Sequence, residues 1–196
     1  MANLIAFHKP YGVLSQFTDG AGRATLRDFI AQRGVYPAGR LDQDSEGLLL
    51  LTDDGALQAR ISHPRHKLPK TYVLQVVGQP DDQTCQRLIE GVELADGAAQ
   101  AIAASPTPRP AFIKPRVPPL PAHREVQCTW FSITLTSGRN RQVRRMLAAV
   151  GYPVLRLIRT QIGPWRLDDL TVGESRSLTV HLPSATAQSR HRSRRS

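Results

Sequence analysis

Apolar positions along the chain form short stretches, and most have the length of a strand rather than of a long helix. Residues Lys70–Val77 alternate with a period of two, and residues 47–52 contain the apolar run Leu48–Leu51 and end at a turn, so both segments predict strands. The predicted strands are 4–7, 47–52, Lys70–Val77, 125–136 and Val154–Ile162, with weaker candidates at 92–94 and 98–104.

A helical period is clearest at residues 140–150, where four apolar residues recur at i, i+3, i+4 and i+7 before Gly151 ends the pattern. These four are Val143, Met146, Leu147 and Val150. Shorter helices are predicted at 26–32, 56–61 and 81–90, and Thr25 can cap the first of them. The residues predicted to be buried in them are Leu26, Phe29, Ile30, Leu88 and Ile89.

The order of these elements lacks the regular strand–helix rhythm of a doubly wound sheet, so it favours an α+β fold with antiparallel strands and helices on one side. Residues 105–121 contain seven of the fifteen prolines. Because proline cannot donate to a strand ladder, this segment predicts an extended loop. Residues 184–196 are rich in Ser, Ala and Arg without an apolar pattern, which predicts one domain over 1–183 followed by a disordered basic tail.

Charge points to a polyanionic partner, because 26 Lys and Arg oppose 16 acidic residues for a net charge of +10 and a pI near 10.6. Four tail arginines account for only part of this excess. No stretch approaches the roughly 18 apolar residues of a membrane helix, and the N-terminus is unlike a signal peptide. Cys85 and Cys128 are far apart and predict no disulfide framework, so a cytoplasmic protein without membrane contact is expected. Nothing in the sequence argues against a monomer.

An acidic loop precedes the predicted strand at 47–52, and it is unexpected in a basic protein. Asp42, Asp44 and Glu46 follow Arg40 within a few residues. A carboxylate that faces the phosphates of a nucleic acid is repelled by them, so such a residue is costly unless it takes part in the chemistry.

The chain resembles the pseudouridine synthases, in particular the branch related to the small-subunit synthase A that modifies ribosomal RNA. Four motifs match in order over roughly residues 4–180. They are His8-Lys9-Pro10-Tyr11-Gly12-Val13, Gly39-Arg40-Leu41-Asp42, His63-Pro64 with Lys70-Thr71-Tyr72, and Ser137-Gly138-Arg139-Asn140-Arg141-Gln142-Val143-Arg144-Arg145-Met146. The S4 RNA-binding domain of many members is absent here, which favours the members that modify the large subunit and lack it.

This resemblance implies the pseudouridine synthase fold, a long, bent, mostly antiparallel sheet built from two ferredoxin-like halves with flanking helices and an RNA cleft between them. It also implies isomerisation of a uridine in ribosomal RNA, with 23S rRNA as the expected substrate. Uracil detaches from C1′, rotates and rejoins through C5, without redox change or group donor. No cofactor is therefore expected, and the sequence contains neither a P-loop nor a Rossmann motif.

The resemblance also assigns residues. Asp42 is the expected catalytic carboxylate, Arg144 its ion-pair partner, and Tyr72 the residue that stacks on the target uracil. The target must be flipped out of its helix at a cost of a few kcal/mol, and Arg40 is expected to hold the strand open or to bind phosphate. The other residues expected to bind RNA are Lys9, Lys70, Arg139, Arg141 and Arg145.

Three alternatives remain at this point. A non-catalytic RNA-binding or ribosome-assembly protein is compatible with the charge, but it gains nothing from Asp42. Asp42, Asp44, Glu46, Gly47 and Asp53 match EF-hand positions 1, 3, 5, 6 and 12, yet position 12 favours Glu and the loop overlaps a predicted strand. His63 and His66 have the spacing of zinc ligands but no cysteine nearby, so no metal site is expected.

Overall fold

The computed structural model describes residues 2–121, 128–167 and 169–180, and these form one mixed sheet of nine strands with helices packed on it. The strands are β1 (Ala2–Lys9), β2 (Tyr36–Pro37), β3 (Glu46–Thr52), β4 (Lys70–Val77), β5 (Ala103–Pro106), β6 (Cys128–Leu135), β7 (Val154–Ile162), β8 (Trp165–Arg166) and β9 (Ser175–Val180). The α-helices are α1 (Gly55–Ser62), α2 (Asp82–Glu90) and α3 (Gln142–Ala149), and 3-10 turns lie at Leu26–Asp28 and Pro64–His66.

The strand order is β5-β6-β4-β7-β3-β1-β9, with β2 paired to β3 and β8 to β7. Among the described strands, β3 and β7 pair in parallel and all other pairs are antiparallel. The predicted α+β class and mostly antiparallel sheet are therefore confirmed. The parallel pair joins the β5–β7 half of the sheet to the β3–β9 half.

Gly47 makes the close approach between the two halves possible. It lies opposite Arg159 in the β3–β7 pair and has a φ of +104°. A Cβ at this position would lie 2.7 Å from the amide nitrogen of Arg159, closer than real Cβ contacts. Only glycine combines this conformation with this approach. The acidic loop before β3 is consequently held next to β7.

Strand β3 is buried on both faces, which explains its unbroken apolar run. Leu48 and Leu50 pack with Leu57 and Ile61 of α1, whereas Leu49 packs on the opposite face in a cluster that includes Leu26 and Phe7. Helix α3 buries three of the four residues predicted for it, and the fourth, Val150, is buried as its C-cap. All four belong to a third cluster with Phe131 and Leu157. Helix α3 is thereby fixed against β6 and β7, with its N-terminus close to the acidic loop.

Several predicted elements differ in detail. The helix expected at 26–32 is only the 3-10 turn Leu26–Asp28, although Thr25 caps it through a capping box as predicted. Ile89 was expected to be buried, but it is 37% exposed because α2 turns Leu88 to the core instead. Strand β5 continues to Pro106, which is tolerated because β5 is an edge strand. Residues 125–127 and the predicted tail at 184–196 lie outside the described residues.

Within the described ranges, the longest helix is α2 with nine residues, and no helix has the length and apolar character needed to cross a membrane.

Candidate active site

A cleft of about 380 Å³ opens where the two halves of the sheet meet. The loop before β3, the start of β4, the loop that leads into α3, and β7 all contribute to it. Seven of the nine predicted site residues line it: Arg40, Asp42, Lys70, Tyr72, Arg139, Arg141 and Arg144. Lys9 and Arg145 do not belong to its lining.

The loop that carries Asp42 is fixed to the segment after β1. The Ser15 hydroxyl donates to the carbonyl of Leu41 at 2.7 Å and accepts from the Leu41 amide at 3.1 Å. The Gly12 amide donates to the carbonyl of Gln43 at 2.8 Å. The turn near residue 12 therefore has a structural role. Its hydrogen bonds and those of Ser15 fix the backbone on both sides of Asp42.

Arg141 forms the salt bridge to Asp42. Its Nη1 lies 3.5 Å from Oδ2 of Asp42, whose side chain is 37% exposed. The same guanidinium donates two hydrogen bonds to the carboxylate of Asp44, at 3.0 and 2.7 Å. These bonds raise the pKa of Arg141. Partial burial acts to raise the pKa of Asp44, but Arg141 and the charge of Arg144 outweigh it and hold that pKa below its usual value.

The prediction that Arg144 pairs with Asp42 is wrong. Arg144 contacts Asp44 instead, donating from Nη2 to its carbonyl at 2.8 Å and lying 3.4 Å from its carboxylate. Its Nη1 donates to the carbonyl of Val154 at 3.0 Å. Burial lowers the pKa of the Arg144 guanidinium, an effect that Asp44 opposes. Arg144 therefore joins α3 to the acidic loop and to β7, while the more exposed Arg141 reaches Asp42.

Tyr72 and Lys70 point to the cleft from β4. Tyr72 is 7% exposed and lies opposite Arg159 of β7 in the sheet register. Lys70 is partly buried, and its Nζ donates to the carbonyl of Leu68 at 3.2 Å. Burial lowers the pKa of Lys70, and the charge of Arg159 lowers it further. The cleft floor thus combines an aromatic ring with positive charge.

Two predicted RNA-binding arginines share one carboxylate on the outer rim. Arg145 makes two hydrogen bonds to Asp96, at 2.8 and 2.9 Å. Arg139 donates to Asp96 and also to the carbonyls of Gly97 and Ala98. The loop that carries Asp96 is therefore fastened to the start of α3.

Lys9 does not fit the RNA contact expected for it. Its side chain has no exposed surface, and its Nζ donates to the carbonyls of Pro10 at 2.9 Å and of Val13 at 2.7 Å. Burial lowers its pKa to about 8, although Glu46 and other carboxylates oppose this. Lys9 closes the turn that fixes the Asp42 loop, so its contribution is structural.

Gln142 and Arg159 had no role predicted from the sequence. Gln142 is buried, accepts from the amide of Arg139 at 2.9 Å and donates to the Ser137 hydroxyl at 2.7 Å, so it shapes the loop that leads into α3. Arg159 is 3% exposed and lines the cleft from β7. Arg156 and Arg159 lie within an apolar strand, and charges inside such a strand were the available signal.

The calcium alternative is wrong, because Glu46–Thr52 is a β-strand rather than a binding loop. The Glu46 carboxylate is also bound on both oxygens by Arg156. His63 uses Nδ1 to accept from the Arg65 amide at 3.2 Å, as an N-cap of the Pro64–His66 turn. Across the described residues, no three His, Cys, Asp or Glu side chains are grouped in a way that could hold a metal ion.

The mixed sheet and its cleft agree with the fold expected for an RNA-modifying isomerase. Residues 3–149 match the family described as RNA pseudouridylate synthase, and the chain belongs to this family. The resemblance found in the four sequence motifs is thus confirmed.

Two curated relatives have the name ribosomal large subunit pseudouridine synthase E. The protein of Vibrio parahaemolyticus is 49% identical over 177 residues, which cover 90% of this chain and 74% of the relative. That of Xanthomonas axonopodis pv. citri is 52% identical over 172 residues, covering 85% and 89%. A crystal structure of a pseudouridylate synthase superposes with a TM-score of 0.73 at 30% identity, covering 91% of this chain and 71% of that one.

Proposed function

We propose that this chain converts one uridine of 23S ribosomal RNA to pseudouridine and that Asp42 is the catalytic carboxylate. The observation that supports this most directly is the position of Asp42, which is accessible in the cleft and held by Arg141 at 3.5 Å. The names of the curated relatives support a large-subunit substrate.

In the proposed reaction the C1′–N1 bond breaks with its electron pair going to uracil, the base turns, and C5 bonds to C1′. C5 then loses a proton and N1 gains one, so atoms and electrons balance without a cofactor. Asp42 acts on the ribose side, and Arg141 keeps its carboxylate oriented, which matters because small misplacements of a catalytic group slow a reaction strongly. Tyr72 provides an aromatic face for the base.

The size of the cleft favours a single flipped nucleotide over an intact duplex. Unstacking the target costs a few kcal/mol, which contacts to the flanking strand must offset. Arg40, Arg139, Arg141 and Arg145 supply positive charge at the loop and rim for phosphate contacts, and such contacts release counterions. RNA binding should therefore weaken steeply as salt is raised.

We further propose that the chain acts as a monomer in the cytoplasm. Ribosomal RNA is made and assembled in the bacterial cytoplasm, where a modifying enzyme would meet it. Size-exclusion chromatography with light scattering would test the monomer, and a dimer mass would overturn that part.

Pseudouridine mapping tests the main proposal. Unmodified 23S and 16S transcripts are incubated with the wild type, with Asp42→Asn, or with Asp169→Asn as a control for an exposed carboxylate outside the cleft. Carbodiimide labelling and primer extension then locate each pseudouridine. We expect one new primer-extension stop in 23S rRNA with the wild type and with the control, and none with Asp42→Asn.

Other outcomes would overturn separate parts of the proposal. A stop in 16S rRNA alone would contradict the substrate, and a stop that persists with Asp42→Asn would contradict the catalytic carboxylate. Tight RNA binding without a stop, on free rRNA and on partly assembled particles alike, would favour the non-catalytic RNA-binding protein considered from the sequence.

A further inference from the structure

Arg159 is a buried arginine whose hydrogen-bonding capacity is only partly used. Its Nε donates to the carbonyl of Leu48 at 2.8 Å and its Nη1 to the carbonyl of Arg40 at 3.3 Å. Its Nη2 is covered and has no hydrogen-bond partner within the part of the chain that the structure describes. The side chain as a whole is 3% exposed.

An unpaired donor of this kind calls for an explanation, because a buried charged group that lacks an acceptor destabilises the fold. The two bonds to Leu48 and Arg40 account for the fixed direction of the guanidinium. They do not account for the remaining amino group. Because Arg159 is part of the cleft lining, an acceptor can come from a bound molecule.

The position of Arg159 limits which kind of chemical group can be that acceptor. Arg159 is the register partner of Tyr72 on the adjacent strand, and side chains so paired approach within reach of one another. Leu157, two residues earlier on β7, also lines the cleft and is apolar. Phosphates would meet the exposed arginines of the rim, whereas the floor is mostly buried and suits a neutral, flat group.

We propose that Arg159 binds the target uracil, donating from Nη2 to a carbonyl oxygen of the base. This inference rests on the proposed function and adds a substrate-binding residue to it. When the C1′–N1 bond breaks with its electron pair on uracil, negative charge develops on the two carbonyl oxygens. A preorganised guanidinium in a site screened from water stabilises that charge, so the bond strengthens as the reaction proceeds.

Access to Nη2 requires a small movement in the cleft, because that nitrogen is covered in the RNA-free chain. Lys70 and Tyr72 are the neighbouring side chains on β4, and Lys70 is only partly buried. A base that enters beside Tyr72 displaces such a side chain and puts its own carbonyl next to Arg159. The unpaired donor of the free chain is then satisfied by the substrate.

Sulfur substitution at the base tests this directly. 2-Thiouridine or 4-thiouridine is introduced at the mapped position by splinted ligation into the 23S transcript, and single-turnover rates are compared with those of the uridine transcript. Sulfur is a weaker acceptor than oxygen, so one of the two substitutions should slow the wild type about tenfold. Arg159→Gln should be slow on all three transcripts and should no longer distinguish oxygen from sulfur.

Arg40→Gln is the matched control, because it removes a guanidinium from the cleft while leaving the backbone carbonyl that Arg159 uses. It should lower the rate on every transcript and retain the sulfur effect. A purely structural role for Arg159 predicts the same behaviour for Arg159→Gln, so an unchanged sulfur effect in that variant overturns the inference.

A variant that fails to fold and the rates of the wild type alone are also informative. If Arg159→Gln does not fold, judged by circular dichroism, Arg159→Lys is measured in the same way, because a single ammonium cannot hold Leu48 and reach the base together. A wild type that converts all three transcripts at equal rates overturns the inference without any variant. A wild type that is inactive on the uridine transcript counts instead against the proposed function.

Discussion

Arg156 and Glu46 form a bidentate ion pair at the junction of the two halves of the sheet, with both N–O distances at 2.8 Å. Both side chains are only 5% exposed. A third donor of Arg156, Nη1, bonds to the carbonyl of Lys114 at 3.0 Å, which fastens the proline-rich segment to the same point. One arginine therefore connects β7, the first residue of β3 and the segment that crosses beside them.

Glu46→Gln should destabilise the fold, because it leaves the Arg156 guanidinium buried without its counter-charge. Loss of one partner of a buried pair costs about 3–5 kcal/mol. Urea unfolding followed by circular dichroism measures the free energy of unfolding. Asp169→Asn is the control, since it breaks the exposed Asp169–Arg176 pair and should leave the midpoint almost unchanged. Equal midpoints for the two variants would show that the buried pair stabilises the fold no more than the exposed pair does.

Arg141 and Arg144 should respond differently to the same substitution. Arg141→Gln removes the salt bridge to Asp42 while the core is untouched, so the single-turnover rate should fall about 100-fold with unchanged stability. Arg144→Gln removes bonds to the carbonyls of Asp44 and Val154, so it should lower stability as well as rate. Rate assays and urea unfolding on both variants separate these effects. An active Arg141→Gln beside a folded, inactive Arg144→Gln would restore Arg144 as the partner of Asp42.

The elements that periodicity predicted best are those with a regular pattern of core-facing residues. Strands β4 and β7 have the predicted bounds, and α3 with its C-cap Val150 buries the predicted residues. A core-facing pattern of period 2 or 3.6 depends on local sequence alone, so it can be recognised without the fold. The 3-10 turn at Leu26–Asp28 was predicted too long, since its length depends on how the following residues pack. Ile89 was misassigned because the buried face of α2 is formed by Thr84, Cys85 and Leu88, and Ile89 lies at the edge of that face.

The site was less predictable than the fold, because its geometry depends on residues distant in sequence. Motif resemblance predicted Asp42 and the arginines as site residues, but it did not predict which arginine reaches the carboxylate, since Arg141 and Arg144 are only three residues apart. Lys9 was expected to bind RNA, but its neighbours in space bury it. Arg159 was overlooked because it reaches the cleft only through the pairing of β7 with β4. The local sequence around Arg159 contains no sign of that pairing.

Lys9 should make stability depend on pH in the alkaline range. Its pKa in the folded chain is about 8 against 10.5 for an ordinary lysine, so between these values the unfolded chain binds more protons. The free energy of unfolding therefore rises with pH in this range. The cost of burying the charged ammonium is present in full below pH 8 and is relieved as the pH approaches 10.5. From pH 7 to 10 this contribution grows by about 2–3 kcal/mol, at 1.36 kcal/mol per unit.

The comparison with Lys9→Met isolates that contribution, because all other titrating groups are shared. The free energy of unfolding of the wild type minus that of the variant is measured in urea at pH 7 and pH 10. The difference should increase at pH 10 by the amount above. A difference that stays constant would mean that Lys9 keeps its charge in the folded chain.

Arg145 should contribute one phosphate contact, although it is paired with Asp96 in the free chain. If RNA phosphate replaces Asp96, Arg145→Gln should reduce the slope of log K against log salt by about 0.7–0.9. Fluorescence anisotropy with a 23S fragment around the mapped uridine, at several salt concentrations, gives that slope. Arg176→Gln, at the opposite edge of the sheet, should leave it unchanged.

Asp96→Asn releases Arg139 and Arg145 from their shared carboxylate without removing either arginine. Binding should tighten at low salt, since the protein no longer has to break two ion pairs before it contacts RNA. The tightening should be lost when Arg145→Gln is added to Asp96→Asn. If Asp96→Asn weakens binding instead, the ion pairs act mainly to hold the start of α3 in place, and Arg145 is structural rather than a phosphate ligand.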